Sequence, residues 1–466
     1  MKKNINTYIR AGIGYTIGNI ILKGINFITI PIFTRILSTA DYGKYNSFIA
    51  YESILFIIIG LGIHTSIKNA KFDYEDRFND YLTNCVYLVL ISTAVSLLLI
   101  NIFKPLFSKL FSLNRFELIC LIICSASGAI MNIYTTKVSM ELQYKKYLLI
   151  SFFNSISNIT ISIFLIYLLS DNYLGRVLGT TISSFLTAAY IIYSLIIKHK
   201  ANFEYDYIKY GVKISIPIIP HGISQIVLSQ FDRVMIQRLI NSSYAGIYSF
   251  TYNIAIIFQV IATSINSVWE PWFFEQMNKK NYNEIKRKAS IYIEGISFIA
   301  AFIILAAPEL MMILAPRNYW PGINIVAIIV LGTYFSSIYT LPAGVEYFHK
   351  KTNYIAIGTF SVAILNIILN SIYIPKYGYV AAAYTTLISY VLYFIFHMIL
   401  SYKIMKFWLY DLKIIFIQIM YISIVTLLTT IYCNNFVFRL FFFIINLILC
   451  FLFVKFKLKL FKNSNK

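Results

Sequence analysis

The sequence predicts an all-α polytopic membrane protein of about 14 transmembrane helices, arranged as two parallel six-helix lobes plus two C-terminal helices. Three observations predict this class. Hydrophobic residues make up 59% of the chain and charged residues only 13%, against about 45–50% and about 25% in a soluble domain. The basic residues alternate in dense and sparse groups from one connection to the next. Part of the sequence also recurs at an offset of 203 residues: Arg35, Gly43 and Tyr45 return as Arg238, Gly246 and Tyr248, and Gly175 and Val177 as Gly378 and Val380. At an offset of 205, Glu141, Lys145 and Lys146 return as Glu346, Lys350 and Lys351.

Seven spans follow from uncharged runs alone, at 81–103, 118–136, 147–170, 177–197, 352–375, 377–402 and 414–438. Each approaches or exceeds the roughly 20 residues that cross a bilayer as a helix. Seven more carry a charge or a proline or are short, and fall near 15–37, 45–67, 214–239, 244–269, 289–313, 320–345 and 440–454. The basic start before the first span resembles a signal peptide, but no small-residue cleavage pattern ends it, so it reads as an uncleaved helix. With a cytoplasmic start, 28 of the 40 Lys and Arg fall on one side and 10 on the other, which obeys the positive-inside rule and places both termini in the cytoplasm. The same split assigns the net charge of +21 to topology, leaving no nucleic acid to explain.

The basic stretch after residue 198 separates spans one to six from seven to twelve. The expected division is residues 1–205 for the N-lobe, 206–405 for the C-lobe and 406–466 for the last two spans and a basic tail. Each lobe has an even number of spans, so the copies enter the membrane in the same sense and the repeat is parallel. Matched groups also fall at equivalent topological places, which coincidence of composition does not explain.

Five cysteines, all in or at the ends of spans, have no metal-ligand spacing and read as buried thiols. No metal site or cofactor is expected. Abundant Tyr and Phe accompany abundant Ile, Asn and Lys, the mark of an AT-rich coding sequence rather than of a sugar-stacking surface. Pro31 in span one, with Pro217 and Pro220 opening span seven, are candidate hinges, since each proline removes a backbone hydrogen bond.

A charge at membrane depth costs about 2.5–3.5 kcal/mol even on lenient scales, so such charges are candidate site residues. Lys23 lies in span one; Asp232 and Arg233 lie in the matching span seven. Lys23 and Arg233 are expected to offer positive charge to a cavity between the lobes, with Asp232 neutralising Arg233 or serving ion coupling. Plainer readings are a lysine snorkelling to the interface and an Asp–Arg pair near a helix end. Further titratable candidates are His221, Glu52, His64 and Glu294, each otherwise a polar contact between helices. Gate candidates are Glu141, Lys145 and Lys146, their counterparts Glu346, Lys350 and Lys351, and Glu270, all expected at the cytoplasmic face. Contact with anionic membrane lipids is the plainer role for the loop lysines.

Taken together, RILSTADYGKY (35–45), Pro217 to Pro220 followed by Asp232, Arg233 and Gly246 to Tyr248, WEPWF (269–273) and IPKYGYVAAA (374–383) resemble the Wzx-type O-antigen or polysaccharide repeat-unit flippases. These belong to the superfamily that holds multidrug extrusion proteins and the lipid II flippase. The resemblance implies a flippase, not an enzyme, that carries an undecaprenyl-diphosphate-linked oligosaccharide from the cytoplasmic to the outer leaflet of a bacterial cytoplasmic (inner) membrane by alternating access. It also implies H+ or Na+ coupling, cationic cavity residues facing the diphosphate, and a polysaccharide polymerase and chain-length regulator as partners. The alternatives are an ion-coupled multidrug or metabolite exporter of the same superfamily and a membrane polysaccharide polymerase. Spans thirteen and fourteen weigh against the first. Five histidines with no nucleophile or metal arrangement, and no large external loop, weigh against the second.

Overall fold

The computed structural model describes residues 5–199 and 201–464, with side chains from residue 12 to 456 except Ile13, Thr16, Ile20, Asn26 and Lys200. The described residues form helices joined by short turns. In chain order these are α1 (Ile5–Ile36), α2 (Thr39–Ile59), α3 (Ile67–Asp73), α4 (Phe78–Ile102), α5 (Lys104–Phe111), α6 (Arg115–Met140), α7 (Tyr144–Leu168), α8 (Asn172–Ile192), α9 (Tyr205–Ser215), α10 (Ile219–Leu239), α11 (Ser242–Asn278), α12 (Tyr282–Leu314), α13 (Ile323–Ile338), α14 (Thr340–Phe348), α15 (Thr352–Tyr377), α16 (Tyr379–Met405), α17 (Leu412–Ile431) and α18 (Phe436–Ser464). Thirteen helical segments among the described residues are long and apolar enough to cross a membrane. With α2, which is long enough but not among them, they give the fourteen spans in the expected order.

Local sequence explains the ends. Ser38 caps α2 by accepting the amide of Asp41 (3.1 Å), and Asn114 with Glu117 forms a reciprocal capping box on α6. Both satisfy first-turn amides that have no partner within the helix. Asp171 and Asp411 cap α8 and α17 in the same way. Pro217 lies in a single 3-10 turn, Ile216–Ile218, between α9 and α10, so span seven is broken as its prolines require. Pro31 sits inside the unbroken α1. Two expected loops are helical instead. The stretch after residue 198 becomes α9, and the run at Trp269 to Phe273 lies inside α11, which continues to Asn278.

The chain divides into two compact units, residues 1–231 and 232–466. In the first, α6 is the centre, packed by α2, α4 and α8; α7 lies along α8, and α1 against α7. In the second, α13 is the centre, packed by α11, α12 and α16, and α15 lies along α16. Apart from the α1–α7 contact, these are the same pairings shifted by six spans. The central helices are also equivalents, spans four and ten, and have the largest buried share in their units: 61% of the apolar stretch in α6 and 83% in the segment containing α13. Four helix pairings reproduced at equivalent spans are physical support for duplication beyond shared letters.

The α7–α8 contact is close because α8 presents Gly175 and Gly179 one turn apart. A Cβ at Gly179 would lie 2.4 Å from Ser162 Cα, and one at Gly175 2.8 Å from the Ile166 backbone nitrogen. Small residues at this spacing let membrane helices approach backbone to backbone. Their sequence match does not carry over: Gly378 is the turn between α15 and α16 (φ +73), whereas Gly175 lies within a helix.

The last two spans pack on the second unit, against α12. Lys286 pairs with Asp411 (3.6 Å) beside the start of α17, and Arg439 of α18, itself 3% exposed, pairs with Glu309. Removing one partner of a buried ion pair leaves the other uncompensated. Arg439→Ala is therefore expected to lower stability by about 1–3 kcal/mol, a lower value than for a fully buried pair because Glu309 keeps access to solvent. A fall in thermal midpoint, reversed when Glu309→Gln is added, checks this.

The segment after α8 is strapped to the first unit. Arg77 pairs with Glu204 and His199 with Asp80 (2.8 Å), while Asn84 donates to the Asn202 carbonyl (3.0 Å) and accepts the Glu204 amide (2.8 Å). Beneath them, Tyr74, Tyr81, Tyr207 and Tyr210 pack edge to face.

Candidate functional site

Asp232 lies midway along α10 and is 1% exposed. Its carboxylate is held from three other helices of the second unit. Oδ2 accepts the hydroxyls of Tyr248 on α11 and Thr386 on α16, both at 2.7 Å. Oδ1 accepts the amide of Asn370 on α15 at 2.7 Å. A second layer orients the first: Thr385 donates to Asn370 Oδ1, Asn370 to Asn366 Oδ1 (3.1 Å), and Asn366 to Thr386 (3.1 Å). Arg233 is also buried, its guanidinium 5.0 Å from the ring centroid of Tyr252. A buried carboxylate is costly unless it is hydrogen-bonded, and bonds to a charged acceptor are the strong ones. Chemically, this is a fixed negative charge held by one amide N–H and two hydroxyl O–H donors, and its own carboxylate oxygens are the groups that suit a hard cation or a proton.

Lys23 is on α1 in the first unit and is exposed. The structure thus brings Asp232 and Arg233 together in one unit, and Lys23 stands in the other. The first unit carries a cation that the charge count had assigned to a loop. Arg176, one turn into α8, is half-buried and stacks on Phe33 (3.9 Å) and Tyr45 (4.4 Å). Its Nη1 donates to Asn158 and Ser162, both at 2.5 Å.

The remaining candidates scatter. Glu52 is half-buried on α2 beside Gly128, where a Cβ would lie 3.3 Å from its Oε1. His64 follows α2 in a 3-10 turn, 5.9 Å from the Phe56 ring. His221 is on α10, its Nδ1 buried with no hydrogen-bond partner among the described residues. Glu294 is half-buried on α12. Glu141 ends α6 and accepts from Gln143 (2.9 Å), while Lys145 and Lys146 are exposed. Glu270 is exposed on α11 and lines a cavity of about 220 Å³ with Asn266, Trp269, Tyr339, Thr340 and Tyr347.

Glu346 corrects the reading of the matched Glu–Lys–Lys clusters. It is fully buried on α14, hydrogen-bonded to His397 of α16 at 2.6 Å, and only Lys350 and Lys351 are exposed. The helix phase that turns Glu346 onto α16 carries it away from the turn at Lys350. Its counterpart Glu141 is half-buried at a helix end.

Sequence reasoning missed Arg176, Asn366, Asn370, Thr386 and His397. A signal existed for four of them. Asn366 and Asn370 are amides one turn apart in an uncharged span, and Thr386, Tyr390, Tyr393 and His397 recur at intervals of four, three and four, one polar stripe along a helix.

Residues 9–277 match the family model described as "Polysaccharide biosynthesis protein". The chain belongs to this family. Two relatives are uncharacterized membrane proteins. That of Haemophilus influenzae is 22% identical over 73% of this chain and 84% of its own, and that of Methanocaldococcus jannaschii 24% identical over 80% and 92%. Among solved structures, lipid II flippase MurJ in an inward closed conformation superposes with a TM-score of 0.73, 16% identity, and coverage of 95% of this chain and 99% of MurJ. An inward-facing multidrug resistance MATE family transporter of the MOP superfamily gives 0.65, 13%, 82% and 95%. At these identities the superpositions establish the fold. The resemblance to Wzx-type flippases fits this family and this fold, and the chain is a multi-pass membrane protein of the transporter architecture.

Proposed function

We propose that this family member is a flippase for undecaprenyl-diphosphate-linked oligosaccharide repeat units, moving them from the cytoplasmic to the outer leaflet of a bacterial cytoplasmic membrane by cation-coupled alternating access. The observation that carries the reading is Asp232, a buried carboxylate with three uncharged donors in a member of a polysaccharide biosynthesis family. A diphosphate and several sugars cannot cross hydrocarbon unaided. A protein that carries them repeatedly in one direction needs a coupling charge, and Asp232 is placed to take up H+ or Na+. Arg176 and Lys23 supply positive charge in the first unit for the diphosphate. Both termini face the cytoplasm in this reading, as the basic-residue count requires, and a polymerase and chain-length regulator use the flipped product.

Deletion of the gene tests the substrate. Lipid-linked repeat units should accumulate on the cytoplasmic leaflet while surface polysaccharide is lost. Accumulation on the outer leaflet would assign the protein to polymerisation instead, and unchanged polysaccharide with raised drug sensitivity would assign it to drug export. Arg176→Ala should reduce flipping about tenfold, equivalent to roughly 1.4 kcal/mol, and Arg176→Lys should recover part of it, because a lysine restores the charge without the planar stack. Initial flipping rates in proteoliposomes measure both.

A further inference from the structure

Three of the five residues in the WEPWF run, Trp269, Glu270 and Phe273, line the cavity of about 220 Å³ in the second unit, and the Asp232 site uses none of them. The cavity lies between two helix stripes. On α11, Asn266 joins these three at the i, i+3, i+4, i+7 spacing that puts residues on one face. On α14, Thr340, Ala343, Gly344 and Tyr347 repeat that spacing. The middle of the α14 stripe is small, and Gly344 comes so close to α11 that a Cβ there would lie 3.1 Å from the Phe273 ring. An engineered cavity of about 150 Å³ holds benzene, and pockets for drug-sized ligands run to about 300–1,000 Å³. This cavity therefore suits a single six-membered ring and not a chain of them.

Its walls are fixed. Trp269 is braced by Trp272, Phe273 and Tyr292, with ring centroids at 5.0, 6.0 and 5.3 Å, and Tyr339 by Tyr393 at 4.5 Å. Rings already held in place lose little freedom when a ligand stacks on them. The polar groups, by contrast, have capacity to spare. Glu270 is exposed and forms no ion pair among the described residues. Asn266 lies 3.2 Å from the Thr340 hydroxyl through its side-chain oxygen, and the rest of its amide engages none of the described residues.

This combination discriminates between ligand chemistries. An anion, the diphosphate included, meets the Glu270 carboxylate, the one charge among the described lining residues. An apolar ring leaves the Asn266 amide unmatched. A quaternary ammonium suits the carboxylate and the aromatic faces but offers no acceptor to the Asn266 N–H groups. A sugar ring has an apolar C–H face for the aromatic walls, and at its edge hydroxyls that donate to a carboxylate and accept from an amide. It is this pairing of rings with Asn266 and Glu270, and not the abundance of aromatics in the chain, that marks the site.

We infer that the cavity is a subsite for one uncharged sugar ring of the transported molecule, with Trp269 and Tyr339 as stacking walls and Glu270 and Asn266 holding hydroxyls. The inference rests on the flippase reading and deepens it. In the orientation proposed there, the cavity stands at the cytoplasmic ends of spans eight and ten, where α11 leads to Lys279 and Lys280 and α14 to Lys350 and Lys351. That is the side from which the substrate is loaded.

The test is equilibrium binding of two probes to full-length protein in nanodiscs: undecaprenyl diphosphate, and the lipid-linked repeat units extracted from the deletion strain. Wild-type protein should prefer the repeat-unit lipid. Glu270→Ala and Asn266→Ala should each weaken binding of that lipid about tenfold, the worth of one hydrogen bond, and leave undecaprenyl diphosphate binding unchanged. Glu275→Ala, on the same helix outside the cavity, should change neither. A wild-type preference that both variants retain overturns the subsite and leaves the flippase reading standing, and so does an equal loss of both lipids in the variants, which marks a structural role. Wild-type protein that binds neither lipid overturns both readings. Competition by choline that Glu270→Ala abolishes would make the cavity a cation site instead. Glu270 is exposed, so its variant decides the matter even if Asn266→Ala fails to fold.

Discussion

Asp232→Asn is expected to abolish coupled transport while leaving a folded protein, and Asp232→Ala to abolish both. Asparagine keeps the shape and one acceptor oxygen but loses the negative charge and turns a donor toward Tyr248, Asn370 or Thr386, each of which already donates. Losing a charged acceptor is worth about 1.5–3 kcal/mol. For an ion whose binding drives the cycle, that corresponds to a loss on the order of 100-fold. Alanine removes both acceptors and leaves three buried donors facing a void, at about 1–3 kcal/mol each, enough to remove most of the stability of an ordinary domain. Surface polysaccharide in a complemented deletion strain reads the first effect. The yield of monodisperse protein and its thermal midpoint read the second. Wild-type polysaccharide with Asp232→Asn would end the assignment of Asp232 to coupling and leave it a structural acceptor. The second unit holds the complete network, so the prediction needs no assumption about the first.

Much of this fold was legible because a bilayer forces long apolar helices: seven spans follow from run length, and the sidedness of the basic residues supports the other seven. Positions within a turn or two of a helix end were not. Arg176 was counted with a loop because a charge beside an apolar run looks the same whether it points to solvent or lies stacked between Phe33 and Tyr45. Glu346 was misplaced for the same reason, since only the phase of α14 decides that it meets His397 while Lys350 and Lys351 face outward. The repeat was a sound guide to topology and a weaker one to individual residues. Spans four and ten are equivalent in packing, yet Gly175 and Gly378 do different work. Asp232 was legible because a carboxylate inside an apolar span stands out even beside Arg233. Its partners were not, because asparagine, threonine and tyrosine inside spans become informative only when four helices bring them to one point.

The largest effect on folding is expected from a residue with no polar atom. At Gly179 a Cβ would lie 2.2 Å from Ser162 Oγ, 2.4 Å from Ser162 Cα and 2.6 Å from its backbone nitrogen. A hydroxyl can rotate away, but the α7 backbone cannot, so Gly179→Leu must separate α7 from α8. The displacement removes Ser162 from Arg176, to which it is bonded at 2.5 Å, and spreads to α1 through its contact with α7. Overpacking costs typically about 1–3 kcal/mol, occasionally more. Against backbone the upper end applies, and in an α7–α8 pair that depends on close approach it should prevent recovery of folded protein. Gly295 of α12 is the matched control, since nothing lies within 4 Å of a Cβ there. Gly295→Ala should hold or slightly raise the thermal midpoint, by up to about 1 kcal/mol of helix propensity. Equal melting of Gly179→Leu and Gly295→Ala would mean that α7 and α8 do not meet backbone to backbone, and the role given to α8 in setting Arg176 would fall with that contact.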